Sequence, residues 1–217
     1  MLETTTTPIS LIIADDHTIV REGLKRILAE CSDMKLVGEA TGADELVSHP
    51  ALELADVLLL DVTMPGPGFL ETMRQLRASH PDLKILVLSV HPEDHYAVRA
   101  LRFGAVGYLT KDRSPEELTA AIRRVHAGGR YVTRSLAERL AFELEPGSER
   151  PSHEMLSDRE YQVFCMLGRA LSVKDIAGEL ELSPKTISTY RTRILQKMQL
   201  SNNAELIRYA VQHDLAG

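Results

Sequence analysis

Short unbroken apolar runs alternate with longer amphipathic stretches through the first half of the chain. The runs are Leu11-Ile12-Ile13-Ala14, Leu36-Val37, Val57-Leu58-Leu59-Leu60, Ile85-Leu86-Val87-Leu88 and Gly107-Tyr108-Leu109. Runs of this kind suit strands buried on both faces, as in a parallel sheet. Helical periodicity lies between them, over Ile19 to Glu30, Leu70 to Ser79, Asp94 to Phe103 and Pro115 to Ala127. The alternation predicts a doubly wound α/β domain of five strands and five helices. Ser114, Pro115 and Glu117 form a helix-start signal with a capping box, and Gly128-Gly129 a stop.

The pattern then changes. Leu136 to Leu144 reads as one short helix, and Glu145 to Ser152 has linker composition. Beyond it the periodicity is helical only: Asp158 to Arg169, Val173 to Leu180, Pro184 to Met198 and Ala204 to His213. Ser157 with Glu160, Ser172 with Asp175, and Ser183 before Pro184 mark three helix starts. A second, all-α domain of four helices follows. The expected boundaries are 10–127 for the first domain, 128–153 for the linker and 154–217 for the second.

Length and composition agree with two small domains: 217 residues, 44% hydrophobic and 26% charged. No apolar run approaches the ~18–20 residues of a membrane span. The start, Met1-Leu2-Glu3 and four threonines, has no secretory pattern. Cys31 and Cys165 have no metal-ligand spacing and read as reduced thiols of a cytoplasmic protein. The net charge of −6 argues against nucleic acid until it is divided. Met1 to Ala127 holds 13 basic and 19 acidic residues, and Gly128 to Gly217 holds 12 of each. The 23 residues from Leu182 to Ala204 contain no acid, yet carry Lys185, Arg191, Arg193 and Lys197. That segment is either an anion-facing surface or a solvated helix face.

In open α/β sheets, ligands bind outside the carboxyl ends of the strands. The residues after the apolar runs are Asp15-Asp16, Asp61, Ser89 and Thr110-Lys111. Three carboxylates at one rim repel and want a cation. Oxygen ligands without Cys or His favour Mg²⁺. Lys111 adds a positive point for a phosphoryl oxygen. Asp61, ending the central strand, is the candidate nucleophile for an aspartyl phosphate. His91 and His95 have helical spacing, but Pro92 interrupts the turn and no third ligand is apparent.

Leu-Ile-Ile-Ala-Asp15-Asp16-His17, Val-Leu-Leu-Leu-Asp61-Val-Thr-Met64-Pro65, Val-Leu-Ser89 and Gly107-Tyr108-Leu-Thr-Lys111-Asp112 resemble the receiver domain of bacterial two-component response regulators, from about Ser10 to Ala127. The resemblance implies a flavodoxin-like fold and a role for each residue. Asp61 is the expected phospho-acceptor. Asp16, Asp61 and the backbone carbonyl of Thr63 are expected to bind Mg²⁺, with Asp15 acting through water. Lys111 pairs with the phosphoryl group, Ser89 donates to it, and Tyr108 turns inward as Ser89 moves. A sensor histidine kinase is the implied donor. One departure is visible: in Met64-Pro65-Gly66-Pro67-Gly68-Phe69, Phe69 stands at the usual Gly position and glycine comes one place earlier.

Ile176 to Leu195 reads as helix, tight turn, helix. Ile176, Ala177 and Leu180 face inward on the first helix, and Ile187, Ile194, Leu195 and Met198 on the second. Lys185, Ser188, Thr189, Arg191, Thr192 and Arg193 are left outward, small polar or cationic as a helix entering a major groove requires. Ser183 is expected to leave the helix N-terminus facing a phosphate. The block from Leu156 to Leu215 resembles the LuxR-type helix-turn-helix domain, and the whole chain resembles the NarL/FixJ family of response regulators. That resemblance points Ser188, Thr189 and Thr192 at base edges of double-stranded DNA. It points Lys185, Thr186, Tyr190, Arg191 and Arg193 at phosphates. It also implies a homodimer on activation, paired through the last helix, and a receiver that covers the recognition helix until phosphorylated. Tyr190 stands where the family often has His, and Ala170 where Gly is common before the second helix.

Two other readings fit less well. A haloacid dehalogenase-type phosphatase needs an acid two residues after the nucleophile, and Thr63 holds that place. A ligand-sensing LuxR-type regulator needs a small-molecule pocket, for which a chain without Trp and with 5% aromatics offers no support.

Overall fold

The computed structural model describes residues 7–90, 93–134, 136–138, 152–180, 182–213 and 215, with backbone alone at 93–95, 154 and 158. The side chains of the His91–His95 pair lie outside that set, as does most of the helix expected over Leu136 to Leu144. The chain divides into two compact units, 1–140 and 141–217. Among the described residues no helix is long and apolar enough to cross a membrane.

The first unit is built on five strands: β1 (Ile9–Ala14), β2 (Met34–Ala40), β3 (Val57–Asp61), β4 (Lys84–Ser89) and β5 (Gly107–Thr110). They form one parallel sheet in the order β2-β1-β3-β4-β5. The helices between and after them are α1 (Thr18–Ala29), α2 (Ala43–Val47), α3 (Phe69–Ser79), α4 (Glu93–Arg102) and α5 (Pro115–His126). Leu11, Ile13, Leu59, Leu86 and Leu88 cluster with Leu24 and Leu28 of α1 and Leu118, Ile122 and Val125 of α5. The alternate strand residues Ile12, Leu58 and Val87 are equally inaccessible, as are Met73 and Leu76 of α3. Both faces of the sheet are therefore covered, which is why the strands read as unbroken apolar runs.

Ser114 caps α5, accepting from the Glu117 amide at 3.3 Å. The expected capping box is not completed. Glu117 instead accepts from the Tyr131 hydroxyl at 2.6 Å. Tyr131 reaches that position because the chain continues along the sheet after α5. Its carbonyl accepts from the Tyr108 amide at 3.1 Å and its amide donates to Val106 at 3.0 Å.

The second unit contains α6 (Asp158–Gly168), α7 (Val173–Glu179), α8 (Pro184–Lys197) and α9 (Asn203–Gln212). The capping boxes expected at Ser157–Glu160 and Ser172–Asp175 are both formed. Phe164, Ile176, Ile187, Ile194, Leu206 and Ala210 make its apolar interior. Glu160 is buried, yet its carboxylate is satisfied, accepting from Lys197 Nζ at 2.6 Å and the Ser157 amide at 2.9 Å.

Ala170, after α6, takes the left-handed conformation at φ 61°. The Leu171 amide then closes onto the Met166 carbonyl at 3.2 Å, the form of a helix stop that glycine adopts without strain. Ala170→Gly is expected to stabilise the second unit by about 1 kcal/mol. Hydrogen exchange of the α6 amides in the full chain would slow by about fivefold.

Burial pushes the Glu160 carboxyl up, but Lys197 and Ser157 outweigh it and hold the group below its ordinary 4.5. A depressed acid stabilises fully above its unfolded value and loses that contribution as pH falls through the folded one. Urea unfolding between pH 6 and 3 should show the second unit weakening below about pH 4.5, and Glu160→Gln should flatten that slope.

Candidate functional site

The strand order places the carboxylates. The connection leaving β1 runs to β2 on one side, and the chain returns to β3 on the other. The rim between β1 and β3 is therefore the topological switch point, where a crevice opens. Asp15 follows β1 and Asp61 ends β3. Each is buried, at 1% and 2% exposure. On the next strand Ser89 is fully buried and in register with Thr110. The Lys111 amide donates to the Ser89 carbonyl at 2.8 Å, which carries Lys111 to the same rim.

Lys111 Nζ lies 2.6 Å from Asp15 Oδ2 and 3.0 Å from Asp61 Oδ1. Both contacts are ion pairs at hydrogen-bonding distance. The second Asp61 oxygen accepts from Thr63 Oγ1 at 2.9 Å. Burial pushes the Asp61 carboxyl up from its ordinary value, Lys111 opposes that, and the Asp15 charge adds to it. Asp16 is exposed and sits 2.8 Å from His17 Nδ1. Arg21 of α1 donates to the Asp15 carbonyl at 2.7 Å and so holds the turn that presents both carboxylates. The structure thus brings Asp15, Asp16, Asp61, Thr63 and Lys111 together. Tyr108 is already fully buried on β5, so the ring expected to turn inward stands inside the protein from the start.

His17 and Arg21 are the site members that sequence reasoning missed. His17 adjoins the Asp15-Asp16 pair, which is a signal; Arg21 shows none until α1 is folded against the rim. The donor set fits a hard divalent cation: three carboxylates at one strand-end crevice, and a neighbouring Lys that neutralises only part of their charge.

The departure at Phe69 has a local solution. Gly68 takes φ 95°, a conformation L side chains avoid, and precedes α3 as its N-cap. Thr72 closes onto it, Oγ1 donating to the Gly68 carbonyl at 2.8 Å. Phe69 becomes the first helical residue, buried at 4%, and lines a small cleft with Asp61, Met64 and Thr72.

In the second unit, α7 and α8 form the helix-turn-helix. Ser183 accepts from the Thr186 amide at 3.1 Å, so it caps α8 and does not leave all its N-terminal amides open as expected. Lys185, Ser188, Thr189, Thr192 and Arg193 are exposed, and Thr186 and Tyr190 half-buried. A shallow cleft is lined by Ser183, Lys185, Thr186, Thr189, Tyr190 and Arg193. Ser188, Thr189 and Thr192 donate to the carbonyls of Pro184, Lys185 and Ser188, which leaves their oxygens outward as acceptors. Arg191 differs from expectation. It is half-buried, and its Nε donates to Asn203 Oδ1 at 2.6 Å, tying α8 to α9.

The two units define a receiver-type α/β domain with an acidic switch-point site, followed by a helix-turn-helix domain. Residues 11–123 match the family model for the response regulator receiver domain, and residues 154–210 that for bacterial regulatory proteins of the luxR family. The chain belongs to the NarL/FixJ family of response regulators. It is 37% identical over 208 residues to the response regulator UvrY of Escherichia coli (strain K12), covering 95% of each chain. It is 40% identical over 208 residues to the response regulator GacA of Pseudomonas protegens, covering 95% of this chain and 97% of that one. Among solved structures it resembles RcsB from Salmonella enterica serovar Typhimurium, bound to promoter P1flhDC in the presence of phosphomimetic BeF3⁻. The TM-score is 0.58 and the identity 27%, over 94% of this chain and 98% of that one.

Lys111→Met leaves two buried carboxylates facing each other without a cation. It is expected to lower receiver stability by about 3 kcal/mol in metal-free buffer. Adding Asp61→Asn should recover most of that loss, because one of the two charges is gone; urea unfolding of the unaltered chain, the two single variants and the double variant measures both effects.

Proposed function

We propose that Asp61 accepts a phosphoryl group from the phosphohistidine of a sensor histidine kinase, and that the modified protein dimerises on double-stranded DNA and controls transcription. The supporting observation is the placement of Lys111 within ion-pair distance of both Asp15 and Asp61 at the switch-point rim. A buried carboxylate beside one ammonium and two further carboxylates is set up for phosphoryl transfer, in which positioning and charge neutralisation supply most of the catalysis.

In this reading one Asp61 oxygen attacks phosphorus while the bond from phosphorus to the donor imidazole breaks. The imidazole leaves with the bonding pair, and Asp61 becomes a mixed anhydride. Asp16, Asp61 and the backbone carbonyl of Thr63 would hold Mg²⁺, with Asp15 acting through water; bound there, it offsets the charge on the phosphoryl oxygens. Lys111 exchanges part of its contact with Asp61 for a phosphoryl oxygen. The Ser89 hydroxyl donates to another, and the Tyr108 ring takes up the space that Ser89 leaves. Those contacts exist only in the modified state, which is what shifts a population.

Residues 10–127 act as the receiver, 128–153 as the linker and 154–217 as the DNA-binding domain of a cytoplasmic regulator. Lys185, Thr186, Tyr190 and Arg193 face phosphates, and Ser188, Thr189 and Thr192 face base edges. Arg191 serves chiefly to fasten α8 to α9. Short hydroxyl side chains accept from several bases, so backbone contacts carry much of the affinity and make it salt-dependent.

Loading with beryllofluoride and Mg²⁺ should tighten binding to selected DNA fragments in a mobility-shift assay by about tenfold. Asp61→Ala should abolish the response to loading. Affinity unchanged by loading in the unaltered chain would falsify the phosphorylation switch.

A further inference from the structure

We propose that His17 is a ligand of the cation site and tilts its preference from Mg²⁺ toward first-row transition ions. The inference deepens the cation-site reading above and rests on it.

His17 Nδ1 lies 2.8 Å from Asp16 Oδ1 and 3.2 Å from Asp15 Oδ1. Donors about 2.1 Å from one small ion and at right angles are about 3.0 Å apart. Both His17 contacts are hydrogen-bond or ion-pair contacts, and they hold the imidazole nitrogen about as far from each carboxylate oxygen as one ligand of an ion is from the next. Donor atoms from Asp15, Asp16, His17 and Asp61 all fall within 4.8 Å of one another.

The carboxylate oxygens have different partners. Lys111 takes Asp15 Oδ2 and Asp61 Oδ1, and Thr63 takes Asp61 Oδ2. Asp15 Oδ1 accepts from the His17 amide at 2.8 Å. That amide ties the backbone of residue 17 to the carboxylate, and Nδ1 of the ring lies 3.2 Å from the same oxygen. Asp15 is thus met by an ammonium at one oxygen and by an imidazole at the other.

An imidazole changes which ion the site prefers. Mg²⁺ takes oxygen donors and gives up water reluctantly, so a nitrogen ligand adds little for it. Mn²⁺ and Co²⁺ accept imidazole readily, and affinity rises along that series for a nitrogen-containing site. With Asp15, Asp16 and Asp61 alone the site would be an all-oxygen one; His17 makes it mixed.

The test uses the full chain and Mn²⁺ or Co²⁺ alone. Electron spin echo spectra of the Mn²⁺-loaded protein should show modulation from a coordinated imidazole nitrogen, and His17→Gln should remove it while Mn²⁺ still binds. In titrations, His17→Gln should lower the Co²⁺-to-Mg²⁺ affinity ratio by at least about tenfold. Mn²⁺ binding without nitrogen modulation, or modulation that survives in His17→Gln, overturns the role of His17 and leaves the carboxylate site standing. Mn²⁺ binding that is absent, or unaffected by Asp61→Asn, overturns the cation-site reading and this inference together.

Discussion

Two carboxylates buried side by side stay charged together only with a cation between them. Asp15 and Asp61 stand at adjacent strand ends with almost no access to water, and Lys111 joins them at 2.6 and 3.0 Å. Each strand end is placed by an apolar sheet covered on both faces. The electrostatic demand at the rim is thus a consequence of the core beneath it. Burial raises the cost of charge, repulsion between the acids adds to it, and one ammonium meets only part of the deficit. What remains negative is a place for another positive group. The chemistry of the receiver follows from that residual charge.

The second unit applies the opposite balance. Among the described residues its buried acid is Glu160, which is engaged by Lys197 and by the backbone of its own helix cap. Lys185 and Arg193 remain on the surface of α8, beside exposed serine and threonine side chains whose hydroxyls donate back to the helix. The net charge of −6 is a sum over a receiver that concentrates acid and a helical unit that is neutral overall. Within that helical unit the cations of α8 face no acid of their own helix. The sum says little about either partner, and its distribution says much.

Legibility followed locality. Unbroken apolar runs announced the buried parallel strands, because a strand covered on both faces has no polar side to show. Serine followed by an acid three residues later announced the caps of α6 and α7, which close within one turn. The same pattern at Ser114 and Glu117 misled, because Tyr131, fourteen residues on, offered Glu117 a better partner. Arg191 has a partner that helical spacing did not show: its Nε donates to Asn203 of the next helix. Both differences arise where a flexible charged side chain chooses among neighbours that local pattern does not contain.

The sequence by itself determined the two-domain order, the α/β and all-α classes, and the residues at the strand ends from which the site is made. These depend on unbroken apolar runs, on the 3.6 periodicity of helices and on short-range caps, all of which are local. Only the tertiary structure decided how those residues meet. The order β2-β1-β3-β4-β5 makes β1 and β3 neighbours and carries Lys111 to both acids from ninety-six and fifty residues away. It also decided that His17 sits against Asp15 and Asp16, that Phe69 is buried beside Asp61, and that Arg191 bonds to the next helix. Such choices are settled by competition among partners distant in sequence, and the distances between those partners exist only once the chain is folded.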